Sequence, residues 1–379
     1  MKMRKVPVWA LKPGMKVARP IYDSRGALLL NSGVEIKKEY VHNLQIIGVP
    51  AVYIVDNIIP DVEIEDIILD DTRQKAKRLI NDIAREARRQ PGKKSVPRLI
   101  LENKGIKNVL KEIIDQLLTN QNLIVNLADI RTADSYTFAH SVNVAVMAIL
   151  TGISLQVPRS RLPCIGIGAL MHDLGKIRIS TNILNKRGKL THAEFEEIKK
   201  HPRIGYEMFK TQRGCMDVAS ALMIYQHHER MNGSGYPEKL KGEEIHIFAR
   251  VCAVVDVYDA LVADRPYRAA LQPHVAFQIL ESSGEEFDIE VLRSFFQHIA
   301  AYPIGTFVGL SNGFIGIVTY NKAGFPLRPL VRVLCNKEEF EPLKPFELNL
   351  IEKINVVVEK VYRADELPES ISQGTGVFS

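Results

Sequence analysis

Hydrophobic positions in the middle of the chain recur every three and four residues. Val109, Leu110, Ile113, Ile114, Leu117 and Leu118 set this rhythm, which turns one face of an α-helix toward a core. Helical spacing continues from Ile106 to about Ala300, with no convincing alternating strand. Within it, Cys164 to Met171 is apolar throughout and predicts a buried helix. Asp71 to Arg89 is helical in pattern but strongly basic, and Gln90-Pro91-Gly92-Lys93-Lys94-Ser95 breaks it. We read that helix as a solvated face beside a linker. The two ends differ from the middle. Ala27–Leu30 and Val52–Val55 read as strands, with a short helix over Glu35–Ile47 that stops at Gly48. After Pro303, Thr306–Val308, Gly313–Tyr320, Leu330–Leu334 and Ile354–Val358 read as short strands between Gly, Asn and Pro turns. The tail from Asp365 to Ser379 is polar and predicted to fray. The expected fold is mainly α: a helical bundle core with small β-rich N-terminal and C-terminal modules. The expected segments are 1–65 (N-terminal module), 66–124 (basic helical linker), 125–301 (helical domain) and 302–379 (C-terminal extension).

Composition narrows the setting. The chain has 379 residues, enough for two or three domains. No apolar run has the roughly 18–20 residues that a membrane span requires. The start, Met1-Lys2-Met3-Arg4-Lys5-Val6-Pro7, has no apolar stretch behind its basic residues, so no secretory signal is expected. Cys164, Cys215, Cys252 and Cys335 are scattered without a CxxC pair. Free thiols in the cytoplasm are therefore expected. The net charge of +6 suits an anionic ligand without demanding one.

The helical stretch also carries a series of metal-ligand residues. His172 and Asp173 are adjacent in Met171-His172-Asp173-Leu174-Gly175-Lys176. An imidazole and a carboxylate side by side can both reach one ion. His140, His201, the pair His227-His228, and Asp256 complete a set of five imidazoles and two carboxylates. Burying two adjacent imidazoles such as His227 and His228 without partners is costly. A mixed nitrogen and oxygen set suits iron, manganese or zinc. Seven ligands over-supply one ion, so two are expected, with Asp173 as the bridge. Two close ions activate a shared water and clamp both oxygens of a phosphoryl-type displacement. His42, His192, His246, His274 and His298 lack such neighbours and read as structural or surface residues.

These motifs resemble the HD-GYP domain, a branch of the HD superfamily of metal-dependent phosphohydrolases, over residues of about 125–300. The signature reads His227-His228-Glu229-Arg230-Met231-Asn232-Gly233-Ser234-Gly235-Tyr236-Pro237. Met231 and Asn232 replace the aromatic and Asp common in the family. Lys200-His201-Pro202 with Gly205-Tyr206, and Val255-Asp256-Val257-Tyr258-Asp259-Ala260-Leu261 with Arg265-Pro266-Tyr267-Arg268, also match. The resemblance implies an HD-type core that hydrolyses cyclic di-GMP to pGpG, or on to GMP, through a metal-activated hydroxide at a dinuclear site. Iron or manganese is favoured as the metal, and Asp173 and Lys176 are expected as catalytic residues. The resemblance places Lys176 at the scissile phosphate. Arg265 and Arg268 would hold phosphate oxygens, since guanidinium matches them bidentately. Gly235 and Tyr236 belong to a loop that contacts substrate and, in the family, protein partners. Some relatives bind a third ion through a carboxylate just before the first His. Tyr136 stands there in this chain, which favours two ions and accumulation of pGpG. Asp134 or Glu229 would be the other sources of a third ligand.

Leu11-Lys12-Pro13-Gly14-Met15 resembles the start of a small module often placed before such domains. The C-terminal extension is expected to pack on the core or support a homodimer. No stable nucleic-acid partner and no membrane span are expected. Two rivals stand beside the main reading. One is a phosphohydrolase for another cyclic dinucleotide or nucleotide. The other is a low-activity, messenger-binding scaffold.

Overall fold

The computed structural model describes residues 3–8, 11–22, 28–47, 49, 51–55, 62, 67–89, 104–119, 136–186, 188–210, 217–263, 270–363 and 366–372. It divides into two compact units. One contains Met1–Asp66, Asn122–Ser135 and Gln297–Ser379, and the other Ile67–Gln121 and Tyr136–Phe296.

The helical unit is built around two helices that are apolar on nearly all sides. In Tyr136–Ser154 every residue from Val142 to Leu150 is buried. Ile247–Val262 buries Phe248, Ala249 and Val251–Val255, then Tyr258 and Val262. A helix without a polar face must lie inside the bundle, and these two pack on each other. Around them lie Leu162–Met171, Val218–Gln226, Pro273–Ser282 and Ile289–Phe296. Lys104–Thr119 buries Ile106, Val109, Leu110, Ile113, Ile114 and Leu117, as its spacing predicts. The basic helix, Asp70–Arg89, departs from the solvated face expected of it. It packs on Lys104–Thr119 and buries Thr72, Arg73 and Lys77 beside Ala76, Ile80, Ile83 and Ala84. The break expected at Gln90–Ser95 lies outside the described residues.

In the other unit, Met3–Pro7 pairs antiparallel with Ala51–Val55, and Ile21–Tyr22 with Leu28–Leu30. Helix Lys38–Ile47 covers a core of Val6, Leu11, Val17, Ile36, Leu44, Val52 and Ile54. The C-terminal part is a five-stranded antiparallel sheet. In spatial order its strands are Pro342–Asn349, Leu330–Asn336, Phe314–Tyr320, Phe307–Leu310 and Val358–Tyr362.

Three features of the C-terminal part differ from the sequence pattern. Pro342–Asn349 is a strand that the sequence pattern concealed behind Pro342 and Pro345. It lies at the sheet edge, where a missing N–H costs no ladder bond. Ile354–Val357 is not a strand. It is a turn whose carbonyls accept from Arg328 Nη1, and Ile354 is 71% exposed. The strand starts at Val358. The tail is not frayed throughout, because Leu367 and Ile371 are buried in the sheet's core with Phe307, Ile315, Ile317 and Leu334.

Ile371→Ala should therefore lower the urea midpoint of the sheet, at a cost of about 2–5 kcal/mol. Ile354→Ala should change it by less than about 0.5 kcal/mol. Equal effects of the two changes would contradict the packing described.

Candidate metal centre

Seven side chains converge in the helical unit, each placed by a helix or its terminus. His140 lies in the second turn of Tyr136–Ser154. His172 caps the C-terminus of Leu162–Met171. Asp173 then caps a 3₁₀ turn, Leu174–Arg178. His201 opens His201–Lys210. His227 caps the end of Val218–Gln226, and His228 follows it. Asp256 projects from Ile247–Val262. His140, His172, Asp173, His201 and His227 are almost wholly buried.

The orientations are set by the nitrogens that face outward. His172, His201 and His227 each direct Nδ1 at the carbonyl three residues back, Ala169, Ile198 and Ile224, at 2.7–2.8 Å. Only a protonated Nδ1 donates to a carbonyl, so the neutral ring leaves a bare Nε2 lone pair pointing inward. His201 Nε2 and His227 Nε2 lie 3.2 Å apart. Two bare acceptors at that distance repel unless a cation stands with them. His172 Nε2 and Asp173 Oδ1 are buried and make no hydrogen bond. Buried polar atoms are otherwise satisfied, so such orphans call for an explanation. The donor set fits divalent ions on this evidence.

Asp173 divides its oxygens between two groups. Oδ2 faces His172 Nε2 at 3.5 Å and His140 Nε2 at 3.9 Å. Oδ1 faces His201 Nε2 at 3.3 Å and His227 Nε2 at 4.0 Å. Two sets of mutually close ligand atoms share it: His140, His172 and Asp173, and Asp173, His201, His227 and His228. Asp256 lies between them, with Oδ1 3.1 Å from His140 Nε2 and Oδ2 4.0 Å from His228 Nδ1. Lys176 Nζ is 2.6 Å from Asp173 Oδ2 and remains partly exposed.

Burial works against charge on His140, but Asp256 and Asp259 outweigh it and push its pKa up to about 10. Burial and the neighbouring imidazoles hold His227 far below the usual range. Burial acts first on His228 as well, lowering it despite Asp256. Burial raises Asp173 and Asp256, yet Lys176 and His172 for the first, and His140 for the second, keep both well below the usual carboxylate range. The centre thus holds two buried carboxylates and several neutral imidazoles.

The turn after Asp173 needs its glycine for contact. A Cβ on Gly175 would lie 2.0 Å from the His201 carbonyl oxygen and 2.7 Å from Gly205 N. The turn can therefore dock on the first turn of the His201 helix only without a side chain.

The glycine-rich loop is tied to the centre by a residue the sequence suggested for a different task. Glu229 is 2% exposed. Its carboxylate accepts the N–H of Glu238 at 2.7 Å and of Leu240 at 3.1 Å. It is turned to the loop and does not join the ligand atoms, so the alternative of a third-ion ligand from Glu229 is corrected. Tyr236 stacks on His228, ring centroids 4.7 Å apart, and Lys199 Nζ lies over the Tyr236 ring, 5.7 Å from its centroid. Gly235 has backbone of His228–Arg230 at 2.5 Å from where a Cβ would be. Its lack of a side chain serves this internal packing. Asp259 received no role from the sequence, although its spacing from Asp256 places both on one side of a helix. It is buried against His140. Arg265, Arg268 and Asp134 lie outside the described residues, as does the side chain of Tyr136.

Residues 127–291 match the HD domain family. Residues 307–370 match a KOW domain associated with the HD domain. The chain is 35% identical over 239 residues to a cyclic di-GMP phosphodiesterase of Pseudomonas aeruginosa, a match covering 62% of this chain and 57% of the relative. It is 40% identical over 156 residues to the cyclic di-GMP phosphodiesterase response regulator RpfG of Xanthomonas campestris, 41% of each chain. It is 37% identical over 154 residues to a 3'3'-cGAMP-specific phosphodiesterase of Vibrio cholerae, 39% of this chain and 32% of the relative. The match thus spans about half the length of the first two relatives. The chain carries an HD domain. Its Gly235-Tyr236-Pro237 signature and these relatives support the resemblance to the HD-GYP branch. Among the described residues, no helix is long and apolar enough to cross a membrane.

Two outcomes follow from this geometry. Gly175→Ala should destabilise the helical unit by on the order of 1–3 kcal/mol through overpacking. Gly188→Ala, with nothing within 4 Å of the new methyl, should leave the thermal midpoint unchanged. Metal ligation needs a deprotonated imidazole, and the metal-free His140 holds its proton to about pH 10. Adding manganese to chelator-treated protein at pH 7 should therefore release about one proton from this site. Lower pH supplies the competing proton, so affinity should fall as pH falls. Uptake without proton release in a weakly buffered indicator titration would count against this protonation state.

Proposed function

We propose that the chain is a cyclic di-GMP phosphodiesterase whose ions are held by His140, His172, Asp173, His201, His227, His228 and Asp256. The observation that carries this reading is Asp173, with one oxygen toward His140 and His172 and the other toward His201 and His227. A carboxylate so placed serves two ions. When bound, two divalent ions lower the pKa of a water between them and offset the charge on a phosphate. The chain's own residues do the rest. Lys176 Nζ, partly exposed beside Asp173, donates to a phosphate oxygen and offsets charge developing there. Arg265 and Arg268 hold the remaining phosphate oxygens. The Tyr236 ring, stacked on His228, gives the substrate a flat wall beside the ions. Iron or manganese is proposed as the metal. Tyr136 in place of a carboxylate supports two ions and pGpG as the product that accumulates. The Gly-Tyr-Pro loop is proposed as a protein-docking element, the C-terminal extension as a homodimer contact, and the cytoplasm as the location.

A second reading rests on the relative named as 3'3'-cGAMP-specific: the same centre would then open a ring carrying one adenine. One experiment separates the readings. Purified protein loaded with ferrous iron or manganese is given each cyclic dinucleotide, and products are resolved by chromatography. Cyclic di-GMP should be converted to pGpG, and not after chelation. Lys176→Met should lower kcat by an amount equal to roughly 1.5–3 kcal/mol with metal content unchanged. Fully loaded protein that turns over neither ring would overturn the reading.

A further inference from the structure

Three imidazoles of the centre take their orientation from the main chain. His172, His201 and His227 use the carbonyls of Ala169, Ile198 and Ile224. These carbonyls lie at the ends of helices, where the last turns have no N–H of their own helix to accept. His140 has no such carbonyl to use. It lies within the helix Tyr136–Ser154, where the carbonyls behind it serve the helix. A carboxylate from another helix takes that place. Asp259 Oδ2 is 2.7 Å from His140 Nδ1, and Asp259 Oδ1 accepts from Asn143 Nδ2 at 3.1 Å. Asn143 is three residues beyond His140 on the same helix, so Asp259 grips that helix at two points. Asp259 is 3% exposed.

We propose that Asp259 is a positioning residue that fixes the His140 ring and makes the two halves of the centre unequal as metal sites. The argument is chemical. A carbonyl is a neutral acceptor, whereas a carboxylate is a charged one and binds the ring N–H more strongly. An imidazole held this way is the more basic ligand. The half built on His140, His172 and Asp173 has this added negative charge behind it. The half built on His201 and His227 has only carbonyls. The first half therefore holds its ion with help that the second lacks, and that help passes through one side chain.

The inference rests on the two-ion reading above, so its test reads metal affinity and not turnover. Chelator-treated full-length protein is titrated with manganese, and each binding step is measured by calorimetry with metal analysis of the dialysed protein. Asp259→Asn keeps the shape and an oxygen acceptor but removes the charge. One binding step should weaken about 10–100-fold, as loss of an outer partner of a ligand does, while the other step keeps its parent affinity. His201→Ala should instead spare the step that Asp259→Asn weakens, which assigns the two halves. If Asp259→Asn does not fold, Asn143→Ala leaves the carboxylate on His140 and loosens only its anchor. It should weaken the same step by a smaller factor. Two steps of parent affinity in the folded variants, or equal weakening of both, would overturn the proposal. Parent protein that binds no manganese would overturn the two-ion reading and this inference with it.

Discussion

The structure depends on a cluster of inward imidazole lone pairs whose close approach only a cation relieves. Five imidazoles and two carboxylates are gathered at a largely buried centre, and helix-terminal carbonyls hold three of the rings with their lone pairs inward. The 3.2 Å approach of His201 Nε2 to His227 Nε2 is unfavourable for neutral rings. A divalent ion between them would resolve this conflict. The apolar helices that surround the centre provide the rigidity that keeps the conflict from relaxing. Val142–Leu150 and Val251–Val255 are buried without a break, so neither helix can turn to release His140 or Asp256.

Close backbone contacts supply the remaining precision. The 3₁₀ turn after Asp173 lies against the start of the His201 helix because Gly175 and Gly205 have no side chains between them. This contact fixes the spacing of Asp173 Oδ1 and His201 Nε2. Farther from the centre, Gly166 and Gly168 let Leu162–Met171 approach Leu110, Ile149 and Met223. The helix that ends in His172 is thereby seated deep in the bundle. Small residues in this sequence act through what they allow to touch.

Much of the centre was legible in the sequence because its residues are few, chemically distinctive and set in local motifs. The helical core was legible for a similar reason, since Val109, Leu110, Ile113, Ile114 and Leu117 report one face directly. The C-terminal sheet was less so. Pro342 and Pro345 mark Pro342–Asn349 as broken, and only its edge position makes it a strand. Ile354, Val356 and Val357 have the residue types of a strand, but Arg328 and the Ser311 hydroxyl hold them in a turn. Leu367 and Ile371 look like two isolated apolar residues in a polar tail until a sheet is present to receive them. The role of Asp259 was hidden for a related reason. It depends on a helix more than a hundred residues away in sequence, and no spacing within its own motif reports that contact.

The same logic explains why the paired histidines and the Gly-Tyr-Pro loop occur as one signature. Val218–Gln226 ends, and three consecutive side chains leave in three directions. His227 turns inward to the Asp173 side of the centre. His228 turns toward Asp256 and receives the Tyr236 ring. Glu229 turns away from both and binds the amides of Glu238 and Leu240. Burial acts first on Glu229 and raises its pKa, against the loop amides that lower it. The carboxylate is thus kept for the loop by hydrogen bonds and excluded from the ions by direction. The loop returns over His228 because Gly235 lets it pass within contact of the His228–Arg230 backbone. The inward imidazole, the stacked imidazole and the loop anchor are adjacent in sequence because a single helix end must aim all three. A shift of that helix end would move the ligands and the loop together.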